Sequence, residues 1–293
     1  MSFAVVTDTS ANLPTKLLKE RGIEAIPFHY FIDGQGYTCT DTDAFNGDEF
    51  YARIRGGVKV TTSQVAPQEY ADFFEPIIKA GQDVIYIAMA SGISGSCNSA
   101  RIASEQLAET YTENKVYVID TKGASLGEGL IALKAAEMRD QGIETEEAVK
   151  LLEHEVLCMF NVFTVDDLMH LRRGGRLSNL SAVVGTVLHI KPLLKGSEIG
   201  QIVAFAKVRG RRKSIEALAE RYDRLAVDPE KEIIGIAQAG CREDAEYLES
   251  LLRRNRPPKE ILRVEYEPVT GSHVGPGALA LFFHAGDKVR YEN

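Results

Sequence analysis

The 293-residue sequence contains no tryptophan and only four cysteines. The cysteines stand far apart and form no Cys-x-x-Cys pair, so neither a zinc site nor a disulfide framework is expected. They are Cys39, Cys97, Cys158 and Cys241. Isolated free thiols of this kind are typical of a protein in a reducing compartment.

Long apolar runs are also missing. Residues 84–90 form a run of strand length, far short of the ~20 residues that cross a bilayer, so no stable membrane insertion is expected. The N-terminal segment MSFAVVTDTS has no basic region, and Asp8 ends its apolar run, so no secretory signal is indicated. These features predict a cytoplasmic protein.

Several signatures of catalysis and cofactor binding are absent. The sequence has no Gly-x-x-x-x-Gly-Lys-Ser/Thr loop, no Gly-x-Gly-x-x-Gly turn and no His-Glu-x-x-His pair. Asp41, Asp43, Asn46 and Gly47 faintly resemble an EF-hand, but Phe45 occupies a ligand position, so calcium is not expected. We therefore expect neither a metal nor a cofactor.

The charge balance is acidic, with 42 acidic and 34 basic residues and a net charge of −8. Such a surface repels a polyanion, so a nucleic-acid partner is not expected. Two basic runs stand out: Arg172, Arg173 and Arg176, and Lys207, Arg209, Arg211, Arg212 and Lys213. They are interpreted either as a phosphate-contacting or docking surface or as a solvated face at a helix start.

The order of predicted elements indicates an α/β protein of two domains. In the first half, strands over residues 3–7, 23–32, 83–90 and 116–120 alternate with helical patterns, which predicts a parallel doubly wound sheet. The second half lacks this regular alternation and contains a hairpin over residues 189–208. This pattern predicts an α+β domain. The expected boundary gives domains 1–158 and 159–293.

Hydroxyl-rich loops follow several of these strands. Ligands in doubly wound sheets bind beyond the carboxyl ends of the strands, so Asp8, Thr62, Ser94 and Thr121 are expected to converge. Hydroxyls and free backbone N–H groups at a helix start suit a carboxylate or another anion. The other interpretation is that Ser94 or a residue of Thr61-Thr62-Ser63 simply caps a helix.

Ser94 also permits an enzymatic interpretation. Strand, turn and helix are the setting of a nucleophile elbow, and His273, in the glycine-rich loop 271–277, could serve as the base. The segment Gly92-Ile93-Ser94-Gly95-Ser96 departs from Gly-x-Ser-x-Gly at its last position. A serine hydrolase or acyltransferase is therefore the alternative to simple ligand binding. A DNA-binding regulator that uses residues 209–213 is a third hypothesis, disfavoured by the net charge.

Taken together, the motifs resemble those of the DegV family, in the family's order and over nearly the whole chain. The matching segments are Val6-Thr7-Asp8-Thr9-Ser10 with Leu13-Pro14, Thr61-Thr62-Ser63-Gln64, Ser91-Gly92-Ile93-Ser94-Gly95-Ser96, Val118-Ile119-Asp120-Thr121, Arg173-Gly174-Gly175-Arg176-Leu177, Ile190-Lys191-Pro192-Leu193-Leu194 and His273-Val274-Gly275-Pro276-Gly277. Two positions depart from the family's usual pattern. Val65 stands where proline is common, and Cys97 stands where an aromatic residue is common.

The resemblance implies an N-terminal parallel α/β domain, a C-terminal domain with a mostly antiparallel sheet, and a long-chain fatty acid such as palmitate between them. It implies that Thr62 and Ser94 hold the carboxylate and that His273 lies nearby. Ser63, Ser91 and Gly95 belong to the same motifs and are expected at the ligand. The chain itself would not be an enzyme but could be the binding subunit of a fatty-acid kinase, with Arg176 and Arg209 near the phosphoryl-transfer face.

Overall fold

A computed structural model describes residues 3–177 and 189–291 of the chain. The N-terminal half contains the strands β1 (Phe3–Asp8), β2 (Ile23–Ile26), β3 (His29–Ile32), β4 (Gln35–Thr38), β5 (Val60–Ser63), β6 (Asp83–Ala88) and β7 (Val116–Asp120). Its helices are α1 (Thr15–Glu20), α2 (Gly47–Arg55), α3 (Pro67–Lys79), α4 (Ser96–Ala108), α5 (Leu126–Asp140) and α6 (Thr145–Cys158).

The second half begins with β8 (Met159–Thr164) directly after α6. It continues with α7 (Met169–Arg173), β9 (Ile190–Gly196), β10 (Ile202–Arg209), α8 (Arg211–Leu225), β11 (Ile233–Gln238), α9 (Arg242–Asn255), β12 (Glu260–Glu265), α10 (Pro268–Val274) and β13 (Leu279–His284). In the described part of the chain, no helix is both long enough and apolar enough to cross a membrane.

A parallel four-stranded sheet in the order β2-β1-β6-β7 forms the centre of the first half. Alternate side chains of a strand point to opposite faces, and both faces are buried here. On β6, Ile85 and Ile87 belong to one core, while Val84 and Tyr86 belong to another. Helix α5 contacts β1 and β6, helix α6 contacts β6 and β7, and helices α3 and α4 contact β6 and β7 respectively. The predicted parallel α/β architecture is confirmed.

The prediction of one strand over residues 23–32 is wrong. The chain leaves the parallel sheet at Pro27, which lacks a backbone N–H for a ladder hydrogen bond. The strand β3 that follows pairs with β4 and β5 in a separate antiparallel sheet. A hairpin turn at Asp33 and Gly34, with φ of 52° and 82°, joins β3 to β4. The expectation that Thr62 leaves a strand of the parallel sheet is therefore also wrong, because β5 belongs to this antiparallel one.

The second half is built on a six-stranded sheet in the order β10-β9-β8-β13-β11-β12. Adjacent strands in this sheet are antiparallel, except for β11 and β12, which are parallel. This confirms the predicted α+β architecture with a mostly antiparallel sheet. One core cluster contains residues of both halves, for example Ile87 and Phe282. The boundary between residues 158 and 159 stays a prediction.

Candidate ligand-binding site

A cavity of about 160 Å³ lies between the segments that follow strands β2, β6 and β7 of the parallel sheet, the six-stranded sheet and α10. A cavity of this size has room for roughly ten or more water molecules. Much of its wall is apolar and comes from both halves of the chain. The apolar lining residues are Phe28, Met89, Ile93, Ala124, Phe163, Leu171, Ile202, Val269, Val274 and Phe282.

One group of lining residues consists of polar side chains and one glycine. They are Thr62, Ser63, Gln64, Ser94, Gly95, Arg176 and His273, and we call them the polar end. The Oγ1 of Thr62 lies 2.8 Å from Nε2 of His273. A Cβ at Gly174, two residues before Arg176, would lie 2.7 Å from the other ring nitrogen, Nδ1. These contacts place strand β5, helix α10 and the segment after α7 around one point.

His273 is neutral at physiological pH. Burial, together with the smaller effect of the positive charge of Arg176, lowers the pKa of His273 to about 4. A neutral imidazole carries one N–H, so its Nε2 either donates to Thr62 or accepts from it. When Nε2 donates, the hydroxyl proton of Thr62 is free to point into the cavity. His273 can thus orient Thr62 toward an anion without adding a second buried charge.

Ser94 combines the two roles considered for it. Its hydroxyl oxygen accepts a hydrogen bond of 3.2 Å from the backbone N–H of Ser96 at the start of α4. A hydroxyl can accept and donate at once, so this helix-start contact leaves the Ser94 proton available to a ligand. The next residue is a glycine, Gly95, whose Cα packs directly against the carboxamide of Gln64. A Cβ at this position would collide with Gln64 Oε1.

Arg176 brings the polar end a fixed positive charge. Its Nε donates to the carbonyl of Ile93 at 3.2 Å, and its Nη1 donates to the carbonyl of Gly174 at 2.5 Å. These two bonds hold the guanidinium across the loop that carries Ser94. A charge placed this way favours an anionic ligand over a neutral one.

The structure brings six of the eight predicted ligand-binding residues to the cavity wall. These are Thr62, Ser63, Ser94, Gly95, Arg176 and His273. Within the described residues, Ser91 and Arg209 do not line it. The Ser91 hydroxyl donates to Asp120 Oδ2 at 2.5 Å, and Arg209 ends strand β10, opposite Ile190.

Asp8 and Thr121, which were expected to converge with the hydroxyls, support the scaffold instead. Asp8 accepts hydrogen bonds from Ser10 and from the Tyr86 hydroxyl, the latter at 2.7 Å. Thr121 donates to the carbonyl of Ala88 at 2.8 Å. Both side chains are buried, and neither is among the cavity-lining residues that the structure describes.

Most of the apolar lining residues, and Asn161 at the wall, were not predicted from the sequence. Phe163 and Phe282 lie on neighbouring antiparallel strands, β8 and β13, and line the cavity only because those strands pair. Residues 122–125 also line it, directly after β7. The polar, glycine-containing segment after that strand was the one available signal for them.

The mixed α/β fold and its cavity, apolar with one polar end, define a protein with a site for a small amphipathic molecule. Residues 2–286 match the model of a protein family described as "Uncharacterised protein, DegV family". A DegV domain-containing protein of Clostridium perfringens is 37% identical over 281 residues, which cover 96% of this chain and 97% of the relative. The chain therefore belongs to the DegV family, and the resemblance seen in the sequence is confirmed.

Solved structures share the whole fold. The DegV protein of Bacillus subtilis, a fatty acid binding protein, is 32% identical with a TM-score of 0.84, covering 98% of this chain and all (100%) of that one. A DegV family protein of Thermus thermophilus, whose fatty-acid binding has been described, is 27% identical with a TM-score of 0.88 over the same shares, 98% and 100%.

Glu267 caps α10, the helix that carries His273. Its carboxylate accepts hydrogen bonds from the backbone N–H groups of Val269 and Thr270, both at 2.6 Å. Burial nevertheless raises the pKa of Glu267 from 4.5 to about 7, since desolvation outweighs those bonds. The folded protein therefore binds this proton more tightly than the unfolded chain, and that contribution to stability is lost as the pH rises from 4.5 through 7.

We predict that Glu267→Gln loses less stability than the parent protein between pH 4.5 and pH 7. The difference should be on the order of 2–3 kcal/mol, measured by urea unfolding at a series of pH values. Asp8, whose pKa burial raises to about 6, changes stability in the same direction but is present in both proteins. Glu105→Gln, at an exposed position of α4, is the control. Parallel stability profiles for Glu267→Gln and the parent would contradict the assignment.

Proposed function

We propose that this protein binds one long-chain fatty acid and does not itself catalyse a reaction. The observation that carries the proposal is a cavity with an apolar wall and a hydroxyl-rich, positively charged end. The fatty-acid binding of the Bacillus subtilis relative supports it. In the proposed complex the ligand lies between the segments 1–158 and 159–293, which we treat as the two domains.

The proposed head-group contacts are the hydroxyls of Thr62 and Ser94. A fatty acid is ionised at neutral pH, and burying an unpartnered carboxylate would be prohibitive. Two hydroxyl donors and the nearby Arg176 supply the compensation, and His273 orients Thr62 as described above. Ser63 and Gly95 flank these donors on the cavity wall.

The tail supplies most of the affinity in this proposal. Burial of ~15 methylenes is worth on the order of 12 kcal/mol gross, at about 0.8 kcal/mol each. Loss of ligand freedom and ordering of the chain offset much of this. The apolar wall thus sets how tightly a chain such as that of palmitate binds, while the polar end sets its orientation and the requirement for an acid.

We further propose that the protein presents the carboxylate to a separate ATP-dependent kinase that forms an acyl phosphate. The sequence lacks a phosphate-binding loop of its own. Arg176 lies at the polar end, and Arg209 ends the strand that precedes the basic start of α8. A cytoplasmic location, where ATP is available, fits this role.

The hydrolase alternative has less support from the geometry. In a catalytic triad the histidine accepts the serine proton at one nitrogen and meets a carboxylate at the other. Here Nε2 of His273 bonds Thr62, and Nδ1 faces Gly174. Covalent labelling of Ser94 by a fluorophosphonate at neutral pH would favour the hydrolase alternative over simple ligand binding.

We predict that Thr62→Val and Ser94→Ala each weaken palmitate binding by about 1.5–3 kcal/mol, because each removes a donor to a charged group. Isothermal titration of delipidated protein measures the effect. Ser272→Ala is the matched control, because Ser272 lies next to His273 on α10 but donates to the carbonyl of Val269 at 2.9 Å. Parent-like affinity in both folded variants would refute the head-group assignment.

We predict that the protein alone forms no acyl phosphate from ATP and fatty acid, and that adding a DegV-partner kinase starts turnover. Arg209→Ala should lower that rate by about tenfold with lipid affinity unchanged, because Arg209 lies off the cavity but on the proposed docking surface. Arg253→Ala, on α9 and paired with Glu249 at 2.8 Å, is the control. Equal rates for the two variants would argue against docking at Arg209.

A further inference from the structure

Four polar side chains line the cavity outside the polar end, and one of them carries a buried amide. They are Lys122, Ser125, Asn161 and Thr270. Asn161 lies on β8 between Met159 and Phe163, which point to the same face of the sheet and belong to the apolar core. Asn161 is 7% exposed, and neither Oδ1 nor Nδ2 has a hydrogen-bond partner among the described residues. Buried amides without partners are rare because each unmade hydrogen bond is costly.

Three glycines surround the amide of Asn161 and allow it to pack closely against the backbone. A Cβ at Gly123 would lie 2.6 Å from Nδ2, and a Cβ at Gly127 would collide with Oδ1. Gly196 of β9 approaches the same amide from the six-stranded sheet. These three glycines thus leave room for the asparagine and for the cavity beside it. An apolar side chain at this position would have needed no hydrogen-bond partner.

The two amide atoms together specify the chemistry of a partner. Oδ1 accepts and Nδ2 donates. A hydroxyl does both and can satisfy both atoms, whereas a carbonyl only accepts and a saturated or unsaturated hydrocarbon does neither. We propose that Asn161 is a specificity-determining residue that selects a fatty acid with a hydroxyl group on its chain. This inference rests on the proposed fatty-acid binding.

The position of Asn161 places that hydroxyl away from the carboxylate. Phe163 follows two residues later, ~7 Å further along the strand, and the chain continues from there to α7 and the polar end. The amide of Asn161 lies against Gly123, Gly127 and Gly196, which belong to other segments than Thr62, Ser94, Arg176 and His273 of the polar end. The register partner of Asn161 is the apolar Phe282. Arg290, whose Nη1 also lies close to Gly196, already donates that group to the carbonyl of Lys122 at 2.8 Å.

The test uses the full-length, delipidated protein and competition binding with stearic acid and monohydroxystearic acids. The hydroxyl is placed in turn near the carboxylate, in the middle and near the end of the chain. We expect the protein to bind one mid-chain or distal isomer at least about fivefold more tightly than stearic acid. Asn161→Leu should abolish or reverse this preference and leave stearic acid binding as tight or tighter.

Phe163→Leu is the control, because it changes the same wall without removing an amide and should alter the affinities for both lipids in proportion. If Asn161→Leu does not fold, Asn161→Ala replaces it. Tight binding of stearic acid with no preference for any hydroxylated isomer, as when a water molecule satisfies the amide, overturns this inference and leaves the proposed function intact. Failure to bind any of these acids overturns the proposed function itself.

Discussion

The close approach of α5 to both sheets is the constraint on which the rest of the structure depends. This helix contacts β1 and β6 of the parallel sheet and β8, β11 and β13 of the six-stranded sheet. Glycines permit the contact: a Cβ at Gly129 would lie 2.6 Å from the carbonyl oxygen of Ala11, and one at Gly235 would lie 2.7 Å from Cβ of Leu126. Because the helix is pinned this way, the two sheets share one core, and the cavity opens where α5 begins.

The electrostatics of the cavity follow from that burial. An anionic ligand needs compensation, yet several buried cations would be expensive when the cavity is empty. The polar end meets this conflict with neutral donors, the hydroxyls of Thr62 and Ser94, and with one guanidinium already bound to two carbonyls. Burial keeps His273 neutral, so it can orient a hydroxyl without charge of its own.

Much of this arrangement could be predicted from the sequence. Alternating strands and helices indicated the parallel sheet, and ordered motifs carried Thr62, Ser94, Arg176 and His273 to one cavity. Pairing between distant strands could not be predicted, because local patterns do not encode it; the sheet β4-β3-β5 and the contribution of Phe282 depend on it. Pro27 could have predicted that the second strand ends at Ile26, before the expected residue 32. The role of Asn161 could not be predicted, because its amide lacks a partner only as a result of the packing around it in the folded structure.

The most direct test of this account is native mass spectrometry of the purified protein, followed by denaturing extraction of any bound molecule. The account predicts a one-to-one adduct with the mass of a fatty acid, either as purified or after incubation with added fatty acid. A protein that carries no lipid and also takes up none when fatty acids are supplied would contradict the central claim.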